Sequence, residues 1–461
     1  MSEPGPTQPQ SVPTHSAQPH SALPDSGAPA TVGPPLPAES PLRRELGAEV
    51  HARPFIRLDA PARASHLALL SGEDGFDADW DHLCALCERY GVTPPERTNH
   101  CILAFGVFRL KWERHTEFCT YTFFREGPLA AAPFTDPALN AVPADWVRAM
   151  PGDLLVAVNV VLEPADAPER PPETVPDLMT TENFAAADVS GGAATAFMDF
   201  SIDDSGFGRV YVRDRALRPR QAGRLVQRLL EVETYRMLAL LALPLARKHG
   251  RSLSDLGTRL SRIAGQIGEI GDLTEERRLL GELTTLSAEN ERVMAETAYR
   301  FSAARAYDAL VARRIAELRE VRVEGFQTFG EFMERRMAPA MRTCEAVRER
   351  QDNLSRRINR TSQLLLTRVD TQLEEQNGNL LQSMDRRAQL QLRLQETVET
   401  ISVAAISYYV VGLLAYMAKG LKAGGVSVPV DVATGVAVPV VAGTAYAVLR
   451  HLRRLIARRG G

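Results

Sequence analysis

The stretch ISVAAISYYVVGLLAYMAKG, residues 401–420, decides how the rest of this chain is read. Its first eighteen residues, Ile401 to Ala418, carry no charge. Eighteen apolar residues are just enough to cross about 30 Å of hydrocarbon as a helix. A turn holding Lys419 and Lys422 follows. Val432–Leu449 is a second uncharged run, broken by Pro439 and dotted with Gly435, Ala442, Gly443, Ala445 and Ala447. Pro and Gly are tolerated in spanning helices, and small residues let such helices approach closely. The chain then ends in RHLRRLIARRGG, with Arg450, Arg453, Arg454, Arg458 and Arg459. Five Arg outweigh the two Lys of the turn, so the spacing predicts a two-span transmembrane hairpin over 400–450 and a basic cytoplasmic tail over 451–461. Two spans return the chain to its starting side, so the N-terminal bulk is expected in the cytoplasm too. A pair of buried core helices is the alternative. Two uncharged runs in tandem with a basic exit are uncommon in soluble domains.

Upstream, Thr328 to Glu399 reads as one long helix, with Pro339 as a bend near its start. Leu366, Leu373 and Leu380 recur every seven residues, with Val369, Gln376, Ser383 and Leu390 in the other seam position. That pattern fits a coiled coil with polar layers, or the inner face of an intramolecular bundle. Residues 218–399 are therefore expected to form a helical stalk. Pro219 suits a first helical turn. The apolar run Met237–Ala246 is too short to span a bilayer and reads as a buried helix bent at Pro244. Asp272 and Glu275 have capping-box spacing, and the helix they start is expected to reach about Val323.

Residues 42–217 read as a mixed α/β head, which makes the fold class α+β. In CILAFGVFRLKWERHTEFCTYTFFRE (101–126), Phe108, Leu110 and Trp112 alternate with Arg109, Lys111 and Glu113, the period of a half-buried strand. A second strand over Phe118–Phe124 completes a hairpin. GFDADWDHLCALCERYG reads as a helix closed by Gly91. PGDLLVAVNVVLEP reads as a strand, and a further hairpin turns at Asp204-Ser205-Gly206. Residues 1–41 read as a disordered tail, with ten Pro among Ser, Ala, Gly and Gln in its first 40 residues.

Composition narrows the function. A chain of 461 residues allows two or three domains, and 44 % hydrophobic with 24 % charged residues is ordinary for a globular protein. The net charge of −3 gives no basic field for nucleic acid. Only Lys111, Lys248, Lys419 and Lys422 are Lys, so 50 of the 54 basic residues are Arg. A GC-rich genome gives that bias with no function attached. Residues 1–40 hold no Lys, no Arg and no apolar core, so no secretory signal is read there. The five Cys are then expected in a reducing compartment, without a disulfide framework. No phosphate loop, metalloprotease helix or nucleophile elbow occurs, and no enzyme activity or cofactor is expected.

EVHARPF (49–55), RTNHCILAFGVFRLKWERHTEFCTYTFFRE (97–126) and ISYYVVGLLAYMAKG (406–420) resemble an uncharacterised bacterial membrane-anchored family, domain of unknown function thirty-four twenty-two. The resemblance covers roughly residues 42–455 and assigns no catalytic residue. By architecture the chain is also similar to the CorA magnesium-channel superfamily, which implies a divalent cation as a possible partner. That family carries Gly-Met-Asn at the outer end of its first span. Here Tyr416-Met417-Ala418-Lys419 stands in its place, which removes the Gly and the Asn and adds a cation.

From the family-like motifs, Glu49, His51, Arg53, Glu113, Arg114 and His115, with Glu117 beside them, are candidate ligand-binding residues if their segments are adjacent. Such a group could hold a small anion, do acid–base work through His51 and His115, or form a solvated salt-bridge edge. Cys84, Cys87, Cys101 and Cys119 with His100 and His115 form a zinc set only if four ligands converge; otherwise they are small core residues. Asp203-Asp204 reads as turn chemistry. Asp431 reads as an interfacial anchor or a partner for Lys422. Ser407, Tyr408, Tyr416, Thr434 and Thr444 are the candidate pore-lining residues of a channel. The leading expectation is a membrane-anchored cytoplasmic scaffold or sensor that forms homo-oligomers in the bacterial inner membrane. A CorA-like cation channel is the alternative.

Overall fold

The computed structural model describes residues 37, 39–44, 46–47, 55–168, 170, 174–268, 273–425 and 429–457. The chain runs β1 (Ala62–Leu70), α1 (Phe76–Tyr90), β2 (His100–Ala104), β3 (Arg109–Arg114), β4 (Phe118–Glu126), α2 (Ala144–Arg148) and β5 (Asp153–Glu163). It continues through β6 (Ala185–Val189), β7 (Ala194–Met198), β8 (Gly208–Asp214), α3 (Pro219–Leu240), α4 (Ala242–Gln266) and α5 (Leu273–Leu318). It ends with β9 (Val321–Arg322), α6 (Phe329–Arg336), α7 (Ala338–Ala423) and α8 (Val430–Ala457). The fold is α+β, one nine-stranded sheet followed by a long helical region. The sheet order is β2-β3-β4-β1-β5-β8-β7-β6-β9. Every neighbouring pair is antiparallel except β5 and β8.

Several expected elements form as the sequence implies. Gly91 closes α1 in the left-handed region, at φ 67°. There a glycine avoids the Cβ penalty. β3 and β4 form the expected hairpin, with Lys111 opposite Thr122 and Trp112 opposite Tyr121. β7 and β8 turn through Asp203–Gly206, where the Asp203 carboxylate accepts from the backbone N–H groups of Ser205 and Phe207. Pro219 opens α3.

Other boundaries move. The bend expected at Pro244 falls at Leu241, between α3 and α4. Pro244 has no N–H, so the i→i−4 bond to the Leu240 carbonyl is missing and the helix breaks there. The last long helix also divides. Thr328 caps α6 in a reciprocal box with Glu331, and the chain breaks at Met337, ahead of Pro339. The helix expected to reach Val323 stops at Leu318. Val321 and Arg322 leave it to pair with Asp188 and Ala187 as the edge strand β9. The head is therefore not closed by residue 217. The capping position Asp272 lies outside the described residues.

The sheet is covered on both faces. One face carries Ala64, Ala68, Phe118, Phe124, Val158 and Val160, packed under α3, the end of α5 and α6. The opposite face of β1, β3 and β4 carries Leu67, Leu110, Trp112, Tyr121 and Phe123, covered by α1 and α2. Alternation along β3 and β4 splits these sets as the period of two demands. The half-buried strand expected at β3 is thus buried on both sides, because α3 lies over its polar face.

A second core joins α4, α5 and α7 through Leu253, Leu260, Leu283, Val293, Leu354 and Leu365. The bundle core ends at Leu365, one residue before the leucine repeat begins, so the repeat is not the inner face of this bundle. Beyond it, Leu366, Leu373, Leu380, Leu390 and Leu394 are exposed. α7 contains an 18-residue window of mean hydropathy 1.8 that is only 6 % buried, so one helix is long and apolar enough to cross a membrane. The second run, expected over 432–449, is shorter in the structure: the apolar part of α8 is Thr434–Val448. α8 folds back on α7, so that Ala442, Tyr446 and Arg450 share a groove with Glu396, Val403 and Ser407.

Candidate functional site

β1 and β3 bring three side chains together beneath α3: His66, Lys111 and Glu113. With Thr120, Thr122, Gln227, Glu231, Thr234 and Arg314 they line a cavity of about 250 Å3. Its apolar wall is Ile56, Phe118, Phe124 and Leu230. The sheet, α3 and α5 all contribute, so the cavity lies at the joint of head and helices.

His66 is buried at the floor. Its Nδ1 lies 2.8 Å from Thr122 Oγ1 and its Nε2 3.0 Å from Thr234 Oγ1. The Thr234 hydroxyl donates to the Leu230 carbonyl at 2.9 Å, which uses its one proton. Assigned from that network, Nε2–H donates to Thr234 and Nδ1 accepts from Thr122. Burial, with Lys111 nearby, lowers the His66 pKa to about 3. The imidazole is neutral at physiological pH and serves as a fixed dipole rather than as an acid.

This shift makes stability depend on pH. An unfolded histidine takes up a proton near pH 6.5, while folded His66 does so only near pH 3. Between those values the unfolded state binds more protons, so stability falls as pH falls. From about pH 6 to about 4.5, the wild-type protein should lose about 2 kcal/mol more stability than His66→Gln. Urea denaturation at both pH values checks this, and parallel losses in the two proteins would remove His66 as the cause.

Lys111 is only 4 % exposed. Its Nζ lies 3.0 Å from Glu113 Oε2, yet it makes no hydrogen bond of acceptable geometry. A buried ammonium with its donors unused is costly and rare. At the cavity mouth, the Arg314 guanidinium donates to Glu231 Oε2 and also reaches Glu317 Oε2 at 3.1 Å. Gln227 Nε2 donates to Glu231 Oε1 at 2.7 Å. The lining thus carries two cation–carboxylate pairs, one deep and one shallow.

Glu113 and His115 line this cavity, and the His115 ring stacks on Phe118 at 4.1 Å. Arg114 does not join them, and its place among the candidates is corrected here. Alternation turns it to the opposite face, where it meets buried Asp79 at 3.2 Å and donates to the carbonyls of Gly72, His115 and Phe118. Glu49, His51 and Arg53 lie outside the described residues. Phe55, just after them, packs under Arg224 at 4.9 Å. Glu117 leaves the cluster to bind α5: Arg300 donates to it at 2.7 and 3.2 Å, and the Tyr307 hydroxyl at 2.9 Å.

Sequence reasoning missed His66, Lys111, Thr122 and Glu231. A signal for one of them existed. Lys111 is the only Lys in the first 247 residues of an Arg-dominated chain.

The cysteines read as packing. Burial raises the Cys87 thiol to about 11 and Cys101 to about 12, so both stay protonated. Among the described residues no group of three or more His, Cys, Asp and Glu could hold a metal ion. The five pore candidates scatter over the hairpin. Ser407 faces α8 with its hydroxyl buried and without a hydrogen-bond partner. Tyr408 and Tyr416 are exposed, at 78 % and 76 %. Thr434 is half-buried, and the Thr444 hydroxyl bonds back to the Val440 carbonyl.

No curated protein and no solved structure matches the chain, so the CorA-like architecture expected from the sequence finds no support. Residues 38–456 match the family model described as "Protein of unknown function (DUF3422)". With its sheet, both faces of the cavity and its long helices inside that match, the chain belongs to this family.

Proposed function

We propose that the chain is a non-catalytic sensor anchored in the bacterial inner membrane. Residues 401–418 and 432–448 cross the bilayer as a hairpin, and the head and both termini face the cytoplasm. Copies associate along the exposed part of α7. The head senses a small polar molecule in the cavity beneath α3, whose walls include the helices that lead to the stalk.

One observation carries this reading. α7 is a single helix of 86 residues that packs in the helical bundle as far as Leu365 and ends in an exposed apolar segment. Leu354, Ile358 and Leu365 are buried in the bundle, whereas Ile401, Tyr408, Leu413 and Tyr416 are exposed. Exposed apolar surface of that extent marks contact with a membrane or a partner. The uncharged segment suits lipid, and the leucines spaced by seven suit a second copy.

Membranes from a bacterial host should keep the protein through an alkaline wash. Green fluorescent protein fused after Gly461 should fluoresce, because it matures in the cytoplasm. Alkaline phosphatase inserted after Gly424 should be active, because it folds only on the far side. Release by the wash removes the anchor, and an inactive phosphatase at 424 removes the second crossing.

A further inference from the structure

We infer that the cavity beneath α3 binds a small zwitterion, a molecule of amino-acid size that carries a carboxylate and an ammonium a few bonds apart. This rests on the sensing role given to the cavity and not on the membrane anchor.

Size comes first. A cavity of about 250 Å3 lies below the roughly 300–1,000 Å3 of sites for drug-sized molecules. Four apolar side chains close one wall and leave the polar contacts to the rest.

Charge decides the class. Two cations, Lys111 and Arg314, and two carboxylates, Glu113 and Glu231, line the space, with the His115 ring stacked on Phe118 in the same lining. His66 adds none. A simple anion or a simple cation therefore meets a balanced lining and gains little. A molecule bearing both charges gains charge-assisted bonds of both kinds, about twice as strong as neutral ones. The side chains of Lys111 and Glu113 are 5 % and 13 % exposed, while those of Arg314 and Glu231 are 23 % and 20 % exposed. The two pairs therefore form a deep and a shallow station with open volume between them.

Lys111 sets the orientation. Its unused donors call for an acceptor inside the cavity, and a ligand carboxylate supplies a charged one. That carboxylate draws Lys111 from Glu113, and Glu231 or Glu113 then receives the ligand ammonium. An ion pair buried only for stability does no better than a packed apolar pair. Two pairs around an open space are what recognition of paired charges requires.

The test is calorimetric titration of the full-length protein in detergent. The zwitterionic probes are L-alanine, γ-aminobutyrate, L-glutamate and L-lysine. Acetate, inorganic phosphate, ethylammonium and glucose are the single-charge and neutral comparisons. At least one zwitterion should bind saturably, and more tightly than every comparison compound. Glu231→Gln, at the half-open mouth, should weaken it about tenfold or more. Lys111→Met should weaken it at least as much; because that residue is buried, Glu231→Gln carries the test if Lys111→Met does not fold. Equal binding of acetate, phosphate or glucose, with the same dependence on Lys111, overturns the zwitterion and keeps the sensing cavity. Absence of binding by every probe overturns both. Neither result touches the hairpin, which the topology fusions read separately.

Discussion

Gly223→Ala should cost more than about 3 kcal/mol of folding stability, although alanine is the better helix former by about 1 kcal/mol. A Cβ at position 223 would stand 1.6 Å from the Ile56 carbonyl oxygen and 2.8 Å from its carbon. Both atoms are backbone, so no side chain can swing aside. The segment entering β1 lies flat on α3 there, pinned by the Leu58 N–H to the Pro219 carbonyl at 3.1 Å. Relief means lifting that segment, with Ile56, off the cavity wall. Gly257→Ala is the matched comparison: it is helical, and nothing lies within 4 Å of its added Cβ. That variant should gain about 0.5–1 kcal/mol. Chemical denaturation of both proteins gives opposite signs. Equal effects would show that the segment at Ile56 is free to move.

Glu117→Ala is expected to cost about 3–5 kcal/mol, the usual penalty for breaking a buried ion pair from one side. Glu117 is 6 % exposed and takes three donors from α5. Burial, together with the Glu117 hydrogen bond, holds the Tyr307 hydroxyl above the usual tyrosine range. Without the carboxylate, Arg300 keeps its charge near the sheet with nothing opposite it. Arg300→Ala alone should also destabilise, and the double variant should cost clearly less than the two single losses added together. Additivity in that cycle would mean that the three groups do not act as one clamp. The clamp joins the turn between β3 and β4, beside the cavity, to the helix that also supplies Arg314.

The local periods of this sequence could be read well, and its layers could not. Alternation in β3 correctly placed Phe108, Leu110 and Trp112 on one buried face. It also brought Glu113 and His115 to one face. The polar face looked solvated, because nothing in residues 101–126 tells that α3, about a hundred residues later, lies over it. Arg114 was grouped with its neighbours by closeness along the chain, where strand geometry sends it the other way. Long-range pairing likewise hid β9, whose two residues carry no pattern of their own. The leucine repeat of α7 was ambiguous for a physical reason. One continuous helix carries a bundle face that ends at Leu365 and then the exposed repeat Leu366, Leu373 and Leu380.

Between Leu365 and Ile401, α7 crosses 36 residues with no break in the helix, roughly 54 Å at about 1.5 Å per residue. Such a rod is a ruler with a phase. It fixes how far the head stands from the apolar segment that starts at Ile401, and because each residue turns the helix by about 100°, it also fixes which way the head looks. Removing seven residues would lower the head by roughly 10 Å and leave its heading nearly unchanged. Removing two would barely lower it but would swing it to the opposite side.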